Sequence, residues 1–403
     1  MPRIVIAGAG FAGLWSAVGA ARKRAELGRA AAAVEIVVVD RNPWHSIRVR
    51  NYESDLGETR VPLAEVLDPI GVTHIAAAVR DIDPANRRIV CSGDGAPESL
   101  PYDRLVFALG SRVARPPIPG LDTYAYDVDT YEGASRLNTH IAALPAQKPE
   151  PGRDTVLVIG GGLTGIEAAA EMPGKLRRAG AAAPRVILAD RQPWIGSDMG
   201  AEARQVIDMA LTDLGIETRP GISVTAIDTE GAVLESGERI AAATVVWCAG
   251  MQAHPLTRCF PVARDRFGRV PVDPFLKIKG MAAEFATGDT AWFAIDGERP
   301  NVMSCQHGRP MGRFAGHNVV CDLLGLPMLP LRIDWYSTIL DLGPWGAVCT
   351  AGWQRRVVAT GVAAKRTKEL INRQRIYPPR SADPGELFAA AAPVLQDPPP
   401  LFR

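Results

Sequence analysis

An α/β fold with two dinucleotide-binding units of doubly wound type follows from three features of the sequence. Two glycine-rich turns each sit between an apolar strand and a helix-like run. After each comes a second apolar strand that ends on aspartate, and later strands end on glycine. The first turn lies in Ile4-Val5-Ile6-Ala7-Gly8-Ala9-Gly10-Phe11-Ala12-Gly13. Gly8 permits a tight turn, Gly10 lets the backbone approach a pyrophosphate, and Gly13 lets helix and strand pack closely. The start of the following helix then offers free N–H groups and the positive end of its dipole to phosphate.

The strand Val34 to Val39 closes on Asp40, an acid placed to hold a ribose hydroxyl. It comes 27 residues after Gly13, more than the usual ~20, because the Ala/Arg-rich stretch from Ala20 to Ala33 lengthens the helix and its loop. The opening residues imitate an export signal, with Arg3 before a mostly apolar run to Ala21. Such a signal needs neither three glycines at this spacing nor a strand that ends in an acid.

From Arg41 to Glu53 the chain is dense in polar and aromatic groups and reads as a loop or helix start. His45 is a candidate catalytic residue there. Arg48 and Arg50 would share one face if the segment is extended, and both would then reach a substrate pocket. Pairing with Glu53, Asp55 or Glu58 is the structural alternative for these arginines. Short strands follow at His74 to Val79 and Arg88 to Cys91, separated by turn residues. Tyr102 to Ser111 reads as a buried strand that ends at Gly110. Arg115 to Gly120 is too proline-rich to continue a helix or central strand, and marks a crossing between domains.

The second unit restates the first. Val156 to Glu167 carries Gly160, Gly162 and Gly165, with the first glycines of the two turns 152 residues apart. The strand from Arg185 ends on Asp190, which favours NADH because a 2′-phosphate would meet like charge. Arg191 beside it would partly accommodate that phosphate, so NADPH stays open. A helix is expected from Ala201 to Leu214, then strands at Ile222 to Ile227 and Ala232 to Glu235. Thr244 to Gly250 repeats the strand-to-glycine ending, and Gly288-Asp289 follows a short apolar stretch. Ser304 to Gly308 leads into a helix expected from Arg309 to Leu324. Beyond Pro327 come strand-like pieces, the basic segment Lys365 to Arg375, and a Pro-rich tail of loop or disorder character. A solvated face is favoured over a membrane patch for the basic segment, whose apolar residues are sparse.

Composition narrows the class. The 403 residues suit two to three domains, and the apolar and charged contents of 47% and 22% are those of an ordinary globular chain. A formal charge of +1 gives no electrostatic case for nucleic acid. No stretch reaches the ~18 uninterrupted apolar residues of a membrane span. No two of the six cysteines form C-x-x-C, which argues against a zinc ribbon, a disulfide scaffold and a dithiol redox motif. The isolated cysteines read as small buried apolar residues in a reducing, cytoplasmic setting.

Taken together, the two glycine turns, the endings at Gly110 and Gly250, the Gly165-Ile166-Glu167 and Val246-Trp247-Cys248-Ala249-Gly250 stretches, Gly288-Asp289 and Gln306 resemble the flavoproteins with two dinucleotide-binding domains. Within them the chain is most similar to type II NADH dehydrogenases, over roughly Pro2 to Leu326. The resemblance implies an FAD domain at 1–120 and 252–326, an NAD(P)H domain inserted at 121–251, and a C-terminal α+β region at 327–403. It implies that Gly8, Gly10, Gly13, Asp40, Arg41, Gly110, Gly250, Gly288 and Asp289 hold FAD. Gly160, Gly162, Gly165 and Asp190 would hold NADH, and Glu167 would lie at the nicotinamide–flavin junction. Glu167 has a second reading, as a helix-start carboxylate that complements the dipole. Gln306, with His307, would contact the flavin on the acceptor side, so Glu167, His45 and Gln306 are the catalytic candidates.

The implied partner is a quinone or another small-molecule acceptor. The further alternatives are a protein acceptor, and a slow-turnover flavoprotein that senses NADH. Peripheral contact at the inner membrane face and a homodimer are both compatible with the resemblance, and no metal is called for. Three departures set the chain apart. Cys305 to Pro310 is less rich in small apolar residues than the family's quinone-side segment, Arg48 and Arg50 bring positive charge, and no amphipathic anchoring helix closes the chain. The disulfide reductases that share this architecture carry a redox cysteine pair after the first unit. Asp40 to Val79 holds no cysteine, so electrons should leave without a protein dithiol.

Overall fold

A computed structural model describes residues 1–399. Its two large sheets are built alike. The first runs, in spatial order, Glu284–Ala286, Arg104–Phe107, Arg3–Ala7, Glu35–Asp40 and Thr73–Ala76, with every pairing parallel. The second runs Ala125–Tyr126, Thr244–Trp247, Thr155–Ile159, Arg185–Asp190 and Ile216–Pro220, again all parallel. In both, the strand that feeds the glycine turn is the central one. Val5 to Ala7 and Thr155 to Ile159 are buried throughout, as parallel strands covered on both faces must be.

Ser111–Val113 pairs antiparallel with Met251–Ala253, so the chain leaves for the second sheet and returns from it side by side. A third, antiparallel sheet of Ser337–Asp341, Ala347–Ala351 and Arg356–Thr360 follows. The helix Gly361–Leu370 then passes into one wide π-type turn at Ile371–Arg375.

Gly8 and Gly160 adopt φ of +98° and +115°, a region in which an L side chain is strained. A Cβ at Gly13 would lie 1.9 Å from the Gly8 carbonyl oxygen, and one at Gly165 would lie 1.7 Å from that of Gly160. Helix therefore touches turn directly in both units, which is the task assigned to the third glycine. A similar close approach joins the helix Phe11–Leu27 to the helix Cys305–Leu323. A Cβ at Gly312 would fall 2.4 Å from the Ala12 oxygen, and one at Gly316 would fall 2.2 Å from the Ser16 oxygen.

Several expectations need correction. The late helix starts at Cys305 rather than Arg309 and runs through Pro310. Proline is costly inside a helix because it removes a donor and crowds the preceding turn, but the close packing on Phe11–Leu27 outweighs that local cost. The segment after Asp40 is a short strand, Trp44–Ser46, paired with Arg60–Pro62, and then a 3-10 turn at Arg48–Arg50. Arg48 and Arg50 therefore do not alternate along an extended face. The basic segment is largely helical and turns lysines inward. The Pro-rich tail holds a helix at Pro384–Ala390, and its last residues, 400–403, lie outside the described ones.

Candidate functional site

A single cavity of about 1050 Å³ touches both glycine turns and the C-terminal region. At one end lie Gly8, Gly10 and Ala12, with Asp40, Arg41 and Gly110. A Cβ at Gly10 or Gly110 would meet nothing within 4 Å, so both backbones face open space in which a dinucleotide would lie. Asp40 braces the turn: its carboxylate accepts from the Ala9 N–H at 2.8 Å and the Asn42 N–H at 2.9 Å. Gly288 and Asp289 form the facing wall, where Asp289 accepts from the Ser111 hydroxyl at 2.6 Å. Open turn backbone, an acid after the second strand and a polar group opposite make a donor set suited to a dinucleotide such as FAD.

The middle of the cavity is where the second unit enters. Gly162, Leu163, Thr164 and Glu167 line it from the start of the helix Leu163–Ala179, and Cys248 and Gly250 line it from the facing strand end. Asp190 repeats the bracing of Asp40, accepting from the Gly161 N–H and, at 2.6 Å, from the Gln192 N–H.

Glu167 is buried, and more than a dipole partner. Lys368 Nζ donates to it at 2.6 Å and to the Ile339 carbonyl at 3.1 Å, while the Asp341 N–H donates to the same carboxylate at 3.1 Å. Asp341 in turn accepts from the Tyr52 hydroxyl at 3.0 Å and from Lys365 at 2.5 Å. Burial pushes the Glu167 carboxyl up, and Lys368 works against that shift. The Lys368 ammonium is itself held above its ordinary value because Glu167 and Asp341 both face it, even against its own burial.

Gln306 lines the third part of the cavity. Its amide nitrogen donates to the Ser337 hydroxyl at 2.9 Å, and its carbonyl oxygen is buried without a hydrogen-bond partner. Cys305, Gly308, Arg309 and Arg313 continue that wall along the same helix, and Ile371, Asn372 and Arg375 close it from the π-type turn.

Likeness to known proteins bears on this arrangement. The model for the pyridine nucleotide-disulphide oxidoreductases matches residues 2–312. The chain belongs to that family. It is an oxidoreductase, and among the described residues all six of its cysteines are free despite the family's name.

An NADH dehydrogenase-like protein of Mycobacterium tuberculosis is 54% identical over 400 residues, which cover 98% of this chain and 99% of that one. The demethylphylloquinone reductase of Synechocystis is 29% identical, over 92% of this chain and 91% of that one. Among solved structures, NDH2 of Plasmodium falciparum in complex with NADH superposes with a TM-score of 0.77 at 13% identity, over 96% of this chain and 97% of that one. At that identity the likeness speaks for the fold alone.

Within this family member the expected residues separate into two groups. Gly8, Gly10, Asp40, Arg41, Arg48, Gly110, Gly162, Glu167, Gly250, Gly288, Asp289 and Gln306 all line the cavity. Gly13, Gly160 and Gly165 act behind it as packing glycines, and Asp190 acts on its own loop.

Three further candidates also lie off the wall. His45 is fully buried, with Nδ1 2.9 Å from the Ala9 carbonyl and Nε2 without a partner; burial pushes it down to about 4. It supports the glycine turn from behind. His307, also brought down to about 4 by burial, accepts the Val302 N–H on Nδ1 at 2.9 Å. Arg50 forms a two-pronged bond to Glu53 at 2.8 and 2.7 Å and donates to the Tyr377 hydroxyl at 2.6 Å, so the ion-pairing alternative describes it.

Arg48 bridges Ser111, at 2.9 Å, and Asp129, and stands 3.9 Å from Asp289. The sequence reading missed Lys368, Lys365, Asp341 and Tyr52. The spacing of Lys365 and Lys368 on one helix face was a usable signal, but Asp341 and Tyr52 gave none.

Proposed function

We propose that this chain is an FAD-dependent NADH oxidoreductase with a quinone-class small molecule as electron acceptor. The observation that carries this reading is the shared cavity, walled by both glycine turns, by Glu167 and by Gln306. Residues 1–120 and 252–326 would hold FAD through Gly8, Gly10, Asp40, Gly110 and Asp289. Residues 121–251 would hold NADH at the open backbone of Gly162, in a turn that Gly160 and Gly165 shape from behind, with Asp190 at the end of the following strand on the ribose side. Bound FAD supplies the capacity to take a hydride from a nicotinamide and to pass electrons to a second acceptor.

The chain's own residues supply position and field. Open backbone at Gly10 lets phosphate approach the helix start, whose free N–H groups neutralise its charge. Glu167, pinned by Lys368 and by the Asp341 N–H, presents a fixed carboxylate where the two units meet. Gln306, held by Ser337, leaves its carbonyl oxygen free for a donor on a ligand. The 54% identity to an NADH dehydrogenase-like protein supports the donor, and the demethylphylloquinone reductase supports a quinone-class acceptor.

The test is anaerobic mixing of the purified flavoprotein with NADH in a stopped-flow instrument, followed by a quinone. Loss and return of flavin absorbance on a catalytic time scale is the expected result. Flavin absorbance that stays unchanged with NADH would refute the proposal.

A further inference from the structure

Two arginines on the Gln306 helix are buried without a counter-charge among the described residues. Arg309 and Arg313 are 7% and 3% exposed and line the cavity. Among the described residues neither forms an ion pair, and the Nε of each is buried without a hydrogen-bond partner. Arg309 lies 5.1 Å over the Trp15 ring, and Arg313 lies 5.7 Å over the same ring. Arg313 has one further contact, a 3.3 Å bond to the Ala390 carbonyl. Burial brings both guanidiniums down to about 10, and each feels the other or Arg375 as like charge.

Stacking on an aromatic face offsets only part of the cost of burying a guanidinium. Removing a cation from water costs several kcal/mol unless it is paired and hydrogen-bonded. Four of the cavity's carboxylates are committed elsewhere, Glu167 to Lys368, Asp129 to Arg48, Asp289 to Ser111 and Asp40 to the glycine turn, while Glu132 and Asp198 line the same cavity without pairing with either arginine.

Position says what would answer the charge. Arg309 and Arg313 follow Gln306 by three and seven residues, so they lie about 4.5 and 10.5 Å further along the helix axis. The wall thus runs from the Gln306 carbonyl to two guanidiniums.

We infer that the acceptor is a quinone-class ring bearing an anionic substituent, a carboxylate or its equivalent, that seats against Arg309 and Arg313 while the ring lies by Gln306. This rests on the proposed flavin-dependent function and specifies the acceptor of that same site. A guanidinium fork suits a planar, two-oxygen anion. The positive wall also accounts for the departure of Cys305 to Pro310 from a small, apolar quinone-side segment.

The test compares wild-type holoprotein with Arg309→Met, which keeps length and apolar contact, and Arg309→Lys, which keeps the charge. The probes are 1,4-naphthoquinone-2-sulfonate and uncharged menadione, read two ways. Equilibrium titration of the oxidised holoprotein without NADH gives the two dissociation constants. Steady-state assays at saturating NADH give the two kcat/KM values. The expected result is at least a tenfold fall in the sulfonate-to-menadione ratio for Arg309→Met by both measures, partly restored in Arg309→Lys, with FAD content unchanged.

An unchanged ratio would overturn the inference. So would loss of FAD from Arg309→Met with the ratio preserved, since the guanidinium would then answer cofactor phosphate. Binding is read without NADH, so a wild type whose flavin is not reduced by NADH refutes the proposed function while the titration still decides the anion site.

Discussion

Replacing Lys368 with Met removes the cation that faces Glu167 and leaves the rest of the site in place. The pair is 2.6 Å long, with each side chain only 10% exposed, and Lys368 also holds the Ile339 carbonyl. Breaking a buried pair from one side strands the other charge, at ~3–5 kcal/mol. That loss should depend on pH. Glu167 is already raised by burial and loses its largest opposing influence in the variant. A carboxyl raised in the folded state contributes stability that is complete below its unfolded pKa and is lost as pH rises through its folded pKa.

The variant should therefore be weakest at pH 8 and approach wild type near pH 5. Thermal unfolding of holoprotein at both values measures this. The double variant Glu167→Gln/Lys368→Met should recover ~2 kcal/mol of the loss, because it leaves no stranded charge. A loss of equal size at pH 5 and pH 8, with no recovery in the double variant, would refute the reasoning.

Other substitutions separate packing from binding. Gly13→Ala should prevent stable folding of the first unit, since its Cβ would fall 1.9 Å from the Gly8 oxygen; Gly10→Ala should fold normally and lose FAD on dialysis. Circular dichroism and flavin content distinguish the two. On the proposed NADH site, Asp190→Ala should raise the NADPH-to-NADH ratio of kcat/KM about 5- to 150-fold, by removing a like charge and the ~1–3 kcal/mol that a ribose contact would contribute. An unchanged ratio would place Asp190 away from the ribose. Arg50→Gln should lower the melting temperature and leave flavin reduction by NADH intact, because its partners are Glu53 and Tyr377. His45, His254 and His307 are all brought down to about 4 by burial, so the fold should lose stability as pH falls from about 6.5 toward 4, a slope that His307→Asn would reduce.

Both glycine units could be read from the sequence because their chemistry is local. Turn, strand and helix start lie within a dozen residues, and each closing acid reports on the strand just before it. Glu167 could be placed for the same reason, two residues past the last glycine of its turn. Its partner could not, since Lys368 stands 201 residues away. Arg50 shows the same limit, because the Tyr377 hydroxyl it meets is 327 residues distant and only the tertiary fold joins them. His45 has the composition of a catalytic residue and the surroundings of a core one, and burial is what the sequence does not record. Pro310 misled the helix start because its local cost is visible while the close packing that outweighs it is not.

The contact between the helices Phe11–Leu27 and Cys305–Leu323 constrains how this site can change. At Ala12 against Gly312 and Ser16 against Gly316 no side chain stands between the two backbones, so no rotamer change can absorb a shift there. The turn that would take cofactor phosphate and the row of Gln306, Arg309 and Arg313 are therefore mounted on one frame of fixed spacing. Under the proposed acceptor site, divergence in acceptor choice would proceed by exchanging the side chains of that row, with the frame inherited unaltered. Descendants of this architecture should differ in what they reduce long before they differ in where they reduce it.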